Sequence, residues 1–397
     1  MAENKEKKVL NVPNIRFPEF QGEWQEERLS DIADLSKGIG ISKDQLSADG
    51  EPCILYGELY TKYKSETIKE VISKTNIDNT TLVKSKANDV IIPCSGETAE
   101  EIATARCVLK DDILLGGDLN IIRLHGYDGS FMSYQLNGKR KYDIAKVAQG
   151  VSVVHLYGEH LKNIKTINPS LNEQKKIANL LSLLDERIST QNKIIEDLKK
   201  LKSAIIEIEY SSKTKTSSHI GDFIVQTSKR NKDNAIRTVL SVSNRQGFIQ
   251  QSEQFENRCV ASDDTSNYKI VERNDFAFNP ARINVGSIAR LITFEKGIVS
   301  PMYICFRTKD YATPEYLDYF FESKLFFTEI QKRLEGSVRQ CLSYESLCNI
   351  PFPLLAIEVQ QRIGKQLFTL AQKIKLETDF LEILHKQKQH LLRQMFI

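Results

Sequence analysis

Slid against itself, the 397-residue chain matches at an offset of 186. Gly150 meets Gly336, Leu156 meets Leu342, Glu159 meets Glu345, Leu161 meets Leu347, and Asn163-Ile164 meets Asn349-Ile350. Gln174-Lys175-Lys176-Ile177 then aligns with Gln360-Gln361-Arg362-Ile363. From Ile144–Ile205 against Ile330–Leu391, 17 of 62 positions are identical, where chance gives about 4. Fainter agreement continues upstream, at Asn88-Asp89 with Asn274-Asp275 and Ile102-Ala103 with Ile288-Ala289. The chain therefore folds as two copies of one unit, each a module of roughly 140–160 residues followed by a helical segment of about 40.

The helical segments have the firmest pattern. Ile177, Leu181, Leu184, Ile188, Gln191, Ile195 and Leu198 follow a 4-3-4-3 spacing, as do Ile363, Leu367, Leu370, Ile374, Glu377, Leu381, Leu384, Lys388 and Leu391. That spacing is the seam of a left-handed coiled coil, and the two stripes predict helices of about 60 Å that pair with each other. In the first copy Leu201, Ile205 and Ile208 read as a restart after a three-residue step, a local overwinding. Gln191 and Glu377 hold the same seam position, where one polar residue fixes register. Ser170-x-x-Glu173 reads as a capping box opening the first helix.

Ahead of each helix, β-rich runs alternate with Gly, Asn, Asp and Ser turns: Val90–Ile92, Leu119–Leu124, Ile236–Leu240 and Ile288–Ile292. A helical stretch with an aromatic face (Tyr316, Tyr319, Phe320, Phe327) is predicted over Thr313–Leu334. The modules are thus α+β. The tract Ser211–Ser218 is polar and reads as a linker.

Charge excludes a global field: 55 Lys+Arg face 52 Asp+Glu, a net of +3, so any grip on DNA must come from local patches. The charged N-terminus has the form of no usual signal peptide, and no run approaches 18 apolar residues. Seven scattered cysteines without a Cys-x-x-Cys pair read as incidental thiols in a reducing cytoplasm, the expected location, and predict no metal site. The chain has no phosphate-loop or dinucleotide Gly motif and no Gly-x-Ser-x-Gly elbow. Phe278-Asn279-Pro280-Ala281 lacks the second Pro and closing aromatic of an amino-methyltransferase tetrapeptide, and Glu173-Gln174-Lys175 lies at a helix start without a partnered acid. No catalytic residue is expected.

What the modules do have is basic, aromatic and amide residues in turn-rich segments. In the first copy these are Lys37 and Lys43, Tyr56, Tyr60 and Lys62, and Ser95 and Thr98; in the second, Ser228, Lys229 and Arg230, Asn244 and Arg245, and Arg282 and Asn284. Arg and Lys hold phosphates or guanine, Asn reads adenine, and Tyr stacks, so these are the candidate DNA-binding residues. The loops barely align between copies while the helices do. Two modules of common scaffold and unlike loops predict unlike half-sites, hence an asymmetric bipartite target.

The chain resembles the specificity subunit of type I restriction–modification systems, HsdS. The resemblance covers nearly the whole chain and rests on Val12–Phe20 with Trp24 and Leu29, on Tyr56–Thr61, and on Gln149-Gly150-Val151-Ser152 leading to Leu171–Ala178. The last element returns as Glu335–Gln340 and Glu358–Gly364. The resemblance implies two tandem target recognition domains, at 1–168 and 219–352. Each is followed by a conserved helix, at 169–210 and 353–397, with the linker at 211–218; the helices pack as an antiparallel coiled coil. It further implies double-stranded DNA, two methylation subunits (HsdM) carrying S-adenosylmethionine, and restriction subunits (HsdR) using ATP and Mg as partners, with no cofactor in this chain. The competing expectation is a duplicated coiled-coil adaptor without DNA binding, which the near-neutral charge favours.

Overall fold

The structure is a computed structural model that describes residues 10–78, 80–150, 153–211, 218–244, 246–251, 264–336 and 340–397. It divides into two compact units: Met1–Asn192 with Asp379–Ile397, and Lys193–Thr378. The divisions fall inside the two long helices, because the halves of each helix pack on different modules. Most of the tract read as a linker, 212–217, lies outside the described residues.

Unit 1 is organised by a five-stranded sheet of order β2 (Ala33–Lys37), β11 (Leu119–Leu124), β7 (Asp89–Pro93), β9 (Arg106–Val108), β5 (Thr67–Ile68), antiparallel except at β9–β5. Central β7 is buried along its whole length. Successive side chains alternate between faces, so Val90 and Ile92 enter one apolar cluster with Ile122, and Ile91 enters another with Leu119 and Ile121. A second sheet has the order β10 (Leu114–Leu115), β4 (Glu51–Ile54), β6 (Ser73–Thr75), β3 (Leu46–Ser47). Two short pairs, β1 (Gln25–Arg28) with β13 (Lys165–Asn168) and β8 (Ser95–Gly96) with β12 (Val154–His155), complete it. Short helices α1 (Leu29–Ile32), α2 (Glu58–Thr61), α3 (Ala99–Ile102), α4 (Gly129–Asn137), α5 (Lys141–Val147) and α6 (Gly158–Lys162) precede the long α7 (Leu171–Glu209).

Unit 2 repeats the plan. After α8 (Ile220–Phe223), strands β14 (Ile224–Thr227), β21 (Ile304–Thr308), β18 (Phe276–Phe278) and β19 (Ile288–Arg290) pair antiparallel in that order, the order of β2, β11, β7 and β9. The other sheet is β16 (Gly247–Gln250), β15 (Val239–Ser243), β20 (Lys296–Val299), β17 (Lys269–Glu272). Its one parallel contact, β15–β20, matches β4–β10. Then come α9 (Pro314–Phe320), α10 (Lys324–Gln331), α11 (Tyr344–Cys348) and the second long helix, α12 (Ile357–Gln394).

Side chains at the repeat offset explain why these positions are kept. Asn88 and Asn274 both adopt positive φ, 83° and 72°, which Asn tolerates better than most residues. The next residues, Asp89 and Asp275, are buried and accept the backbone N–H of Lys86 and Glu272 at 2.8 and 2.9 Å. Each also holds an arginine of the neighbouring strand: Arg123 at 2.7 and 2.9 Å, and Arg307 at 3.0 Å. Asp89→Ala is expected to lower stability by about 2–3 kcal/mol in urea unfolding, because a backbone donor and a guanidinium lose their shared acceptor. Gln174 and Gln360, both buried, join the start of each long helix to the cap of an earlier one. Their Oε1 atoms accept the N–H of Asp128 (2.9 Å) and Thr313 (3.0 Å), the N-caps of α4 and α9, and their amides donate to the carbonyls of Pro169 and Leu355.

Three expectations need correction. The Thr313–Leu334 stretch is two helices, because the Ser323 hydroxyl accepts the Phe326 N–H at 3.2 Å and restarts the chain as the cap of α10. Strand β15 begins at Val239 rather than Ile236, since buried Asn231 takes both backbone groups of Ile236 (3.1 and 2.9 Å). At the start of α7, the Ser170 hydroxyl accepts the Glu173 N–H at 3.4 Å, but the Glu173 carboxylate turns to Arg16 (2.7 and 2.8 Å) instead of completing a capping box. That buried ion pair holds the arginine's pKa above its ordinary value and gives Glu173 a structural role.

Within unit 1 the two long helices run antiparallel. Leu184 and Ile188 pack with Leu384, Phe380 and Leu381, while Ile177 and Leu181 share a cluster with Met395, Phe396, Trp24 and Phe131. Within unit 2, Ile206 and Tyr210 of the first helical segment meet Ile363 and Leu367 of the second, in a core with Phe320 and Phe352. Ile195 is buried, and Leu198, Leu370 and Ile374 are half-buried along the same stripes. The three-residue step is absent. Leu201 and Ile208 are exposed, 51% and 73%, and the seam continues through Lys202 to Ile206.

Lys202 aligns with Lys388 at the repeat offset, and each reaches into the module it packs on. Lys388 Nζ donates to Glu66 and Asp185, both at 2.6 Å, and lies 5.6 Å from the Tyr134 ring centroid. Lys202 Nζ donates to Glu322 at 2.7 and 2.8 Å and lies 5.1 Å from the Tyr319 ring. A cation over an aromatic face with a carboxylate partner is a favourable way to carry a lysine at a seam position.

Candidate nucleic-acid interface

The structure sorts the sequence-nominated residues by what already occupies them. In the first module Lys62 Nζ donates to Glu58 (2.5 Å) and Ser73 (2.8 Å), over a buried Glu58 that also accepts the Leu55 N–H. Tyr56 and Tyr60 are half-buried around α2, and burial raises the Tyr60 pKa, assisted by Tyr56 and nearby glutamates. The Tyr56–Lys64 segment is therefore a structured helical turn rather than an open loop. Ser95 is buried in β8, paired with His155, and Thr98 caps α3 by accepting the Glu101 N–H at 3.2 Å. Lys37 and Lys43 stay exposed.

Lys37, at the end of β2, has company that sequence reasoning missed. Its Nζ lies 6.0 Å from the ring of half-exposed Tyr157, which stacks on His155 (6.2 Å) and meets His160 edge-on (5.6 Å). This edge of the module presents a cation beside aromatic faces, which suits phosphate and base contacts. The hairpin contacts around it recur in unit 2. Gln149 bridges His155 as Glu335 bridges Cys341, and the Leu156 N–H donates to Cys94 O as that of Leu342 donates to Pro280 O. The frame is kept; the side chains it presents differ.

In the second module Asn244 comes together with the Arg282–Gly286 loop. Gly286 has φ +88°, and a Cβ built on it would lie 3.7 Å from the Asn244 Cβ, while the Ser287 hydroxyl donates to the Val242 carbonyl at 3.2 Å. Arg282 is exposed and Asn284 half-buried. Arg245 lies outside the described residues. Ser228, Lys229 and Arg230 line an open groove of about 670 Å³, with Lys232, Asp233 and Lys296. Lys232 stands in the same charged run and was legible; Lys296 is far off in sequence and arrives only through the β17–β20 pairing. Glu272 at the groove's edge is held below the usual carboxylate range by its bond to Lys296, against its own desolvation.

Among the described residues no cluster of His, Cys, Asp and Glu could hold a metal, and no helix is long and apolar enough to cross a membrane. The six cysteines described are free, and burial raises the thiol of Cys53 to about 11 and that of Cys305 to about 12, which keeps both protonated.

Two copies of one α+β scaffold, each with a long helix behind it and with unlike polar edges, define a duplicated two-module protein. Residues 21–200 match the model of the type I restriction modification DNA specificity domain. The chain is 24% identical to the specificity subunit of the type I restriction enzyme MjaVIII of Methanocaldococcus jannaschii, over 98% of this chain and 93% of that one. In fold it is similar to the S subunit of a type I restriction–modification system from M. genitalium, with TM-score 0.63, 18% identity, and coverage of 97% and 99%. It is also similar to a chain from a structural study of complex assembly and conformational transition of the type I system (TM-score 0.52, 14% identity, coverage of 94% and 97%). Over nearly its whole length the chain is thus similar to specificity subunits of type I restriction–modification systems, and its first half carries the match to their DNA specificity domain.

Proposed function

We propose that this chain is the non-catalytic reader of an asymmetric, bipartite DNA site and the platform on which the modifying subunits assemble. The observation that carries the reading is the duplicated frame with unlike contact residues. The first module presents Lys37, at the end of β2, beside Tyr157 and His155, and the second presents Arg282 and Asn244, beyond the ends of β18 and β15. Side chains of those types read base edges, and two readers on one chain read two half-sites. Methylation subunits (HsdM) supply S-adenosylmethionine, and restriction subunits (HsdR) supply ATP- and Mg-dependent chemistry. No step of either reaction needs a residue of this chain.

The helices offer the surface for assembly. Ile194, Leu201 and Ile208 recur every seven residues on α7 and are 40%, 51% and 73% exposed. An apolar row of this kind on an already paired helix suits a further helix from a partner. Leu201→Asp and Ile208→Asp are expected to leave thermal unfolding within about 0.5 kcal/mol of the parent and to abolish co-purification with the methylation subunit. Retained co-purification would place the partner elsewhere.

The reading is tested by single-molecule real-time sequencing of DNA from cells expressing the chain with and without its methylation subunit. A split, asymmetric methyladenine motif that needs both proteins is the expected result. Arg282→Ala is expected to alter one half of that motif only. Equal loss in both halves overturns the two-reader arrangement, and absence of any motif from a soluble, associated complex favours an adaptor without DNA binding.

A further inference from the structure

We propose that the groove of the second module is a phosphate channel, which holds the DNA backbone beside its half-site and reads no base. The inference rests on the DNA-reading function proposed above. Among the described residues four cations, Lys229, Arg230, Lys232 and Lys296, line the groove against one lining carboxylate, Asp233, and Glu272 at its edge, which pairs with Lys296 at 3.3 Å, in a chain whose net charge is only +3. A protein without a global basic field must concentrate its phosphate contacts, and this is such a concentration.

The chemistry favours phosphate over bases. Ala235, Ile236 and Ile270 form the apolar part of the lining, which among the described residues holds no aromatic ring to stack a base and no amide to pair with adenine. Three of the four cations are lysines, which bind phosphate as point charges. The one arginine already donates from Nη1 to the Asn267 side chain at 2.8 Å, which impairs a bidentate grip on guanine. Asp233 is turned to its own loop, accepting the Ala235 N–H at 3.2 Å. That loop is fixed from beneath by Asn231, wholly buried and bonded to both backbone groups of Ile236. The groove is thus preformed.

The experiment uses the complex of this chain with its methylation subunit and two duplexes, one bearing the methylated motif and one with its second half-site scrambled. Fluorescence anisotropy across a salt series gives the affinity and the slope of log K against log salt. Lys229→Ala and Lys232→Ala are expected to weaken both duplexes by the same factor. Each should reduce the magnitude of the slope by about 0.9, leave the methylated motif unchanged and leave thermal unfolding unchanged; Lys232→Arg should restore the slope. An altered motif, or a loss confined to the intact second half-site, shows base reading and overturns the proposal. An unchanged slope shows that no phosphate is held there and overturns it while the DNA-reading function stands. Absence of salt-dependent binding by the unsubstituted complex overturns both.

Discussion

Lys388→Met is expected to cost unit 1 about 3–5 kcal/mol, whereas Lys202→Met, at the same position of the repeat, should cost about 1 kcal/mol or less. The difference lies in the partners. Lys388 is 13% exposed and its carboxylates, Glu66 and Asp185, are 11% and 7% exposed, so removing the ammonium strands two negative charges out of water. Asp185 also accepts from the Tyr134 hydroxyl (2.7 Å) and from Ser65 (3.0 Å), which ties the deficit into the module's core. Lys202 instead pairs with Glu322, which is 48% exposed and rehydrates readily. Trp24, the only tryptophan of the chain, is buried in unit 1 and reports its unfolding by fluorescence in a denaturant series, while far-ultraviolet circular dichroism in the same series follows unit 2, which holds Lys202.

The Lys388→Met deficit should also shrink as pH falls. Burial raises the Glu66 pKa, opposed by the attraction of Lys388, and loss of the lysine moves it further up. A carboxyl whose folded pKa exceeds its unfolded value of about 4.3 binds more protons in the folded state. Stability then falls as pH rises from that value through the folded pKa, and returns on acidification. A variant deficit that stays constant between pH 7 and pH 5 would mean that the two carboxylates are not left charged and buried, and that the ion network contributes little.

How much of this was legible in the sequence follows from the reach of each interaction. The duplication and the seam were visible because an apolar stripe on a helix repeats at 3.5 residues whatever it packs against. The seam at Lys202 was misread for the same reason: Leu201 is apolar and Lys202 is not, and only the Glu322 and Tyr319 side chains, more than a hundred residues on, make the lysine the inward residue. Sheet order was hidden, since β2 and β11 pair across about 85 residues and nothing in either strand names its partner. At the candidate interface, polarity identified Lys37, Lys229 and Arg230. It could not tell an exposed group from one already engaged, so Thr98, a helix cap, and Lys62, an ion-pair partner, looked the same. Tyr157 and Lys296 were passed over because their neighbours in space are strangers in sequence.

Leu184→Asp is expected to be the most damaging single change, with a loss of more than about 4 kcal/mol. Leu184 is 9% exposed and faces Leu384 in a small cluster where the two long helices meet. Deleting a packed leucine there costs about 2–5 kcal/mol through lost transfer and the residual cavity. The carboxylate adds its own desolvation, since the cluster around Leu184 consists of apolar side chains. Helix α12 carries Met395 and Phe396 into the cluster around Trp24 and Phe131, so loosening the pair at Leu184 also weakens that cluster. The neighbouring Leu183→Asp is the control. Leu183 is 54% exposed on the outer face of the same turn, and its replacement should stay within about 0.5 kcal/mol of the parent. Trp24 fluorescence in denaturant and limited proteolysis of the C-terminal helix distinguish the two. Leu370→Asp, half-buried on the second helix in unit 2, should cost an intermediate amount, followed by far-ultraviolet circular dichroism in the same denaturant series. Equal stability of Leu184→Asp and Leu183→Asp would show that the helices are held by their modules alone and that the seam contributes nothing of its own.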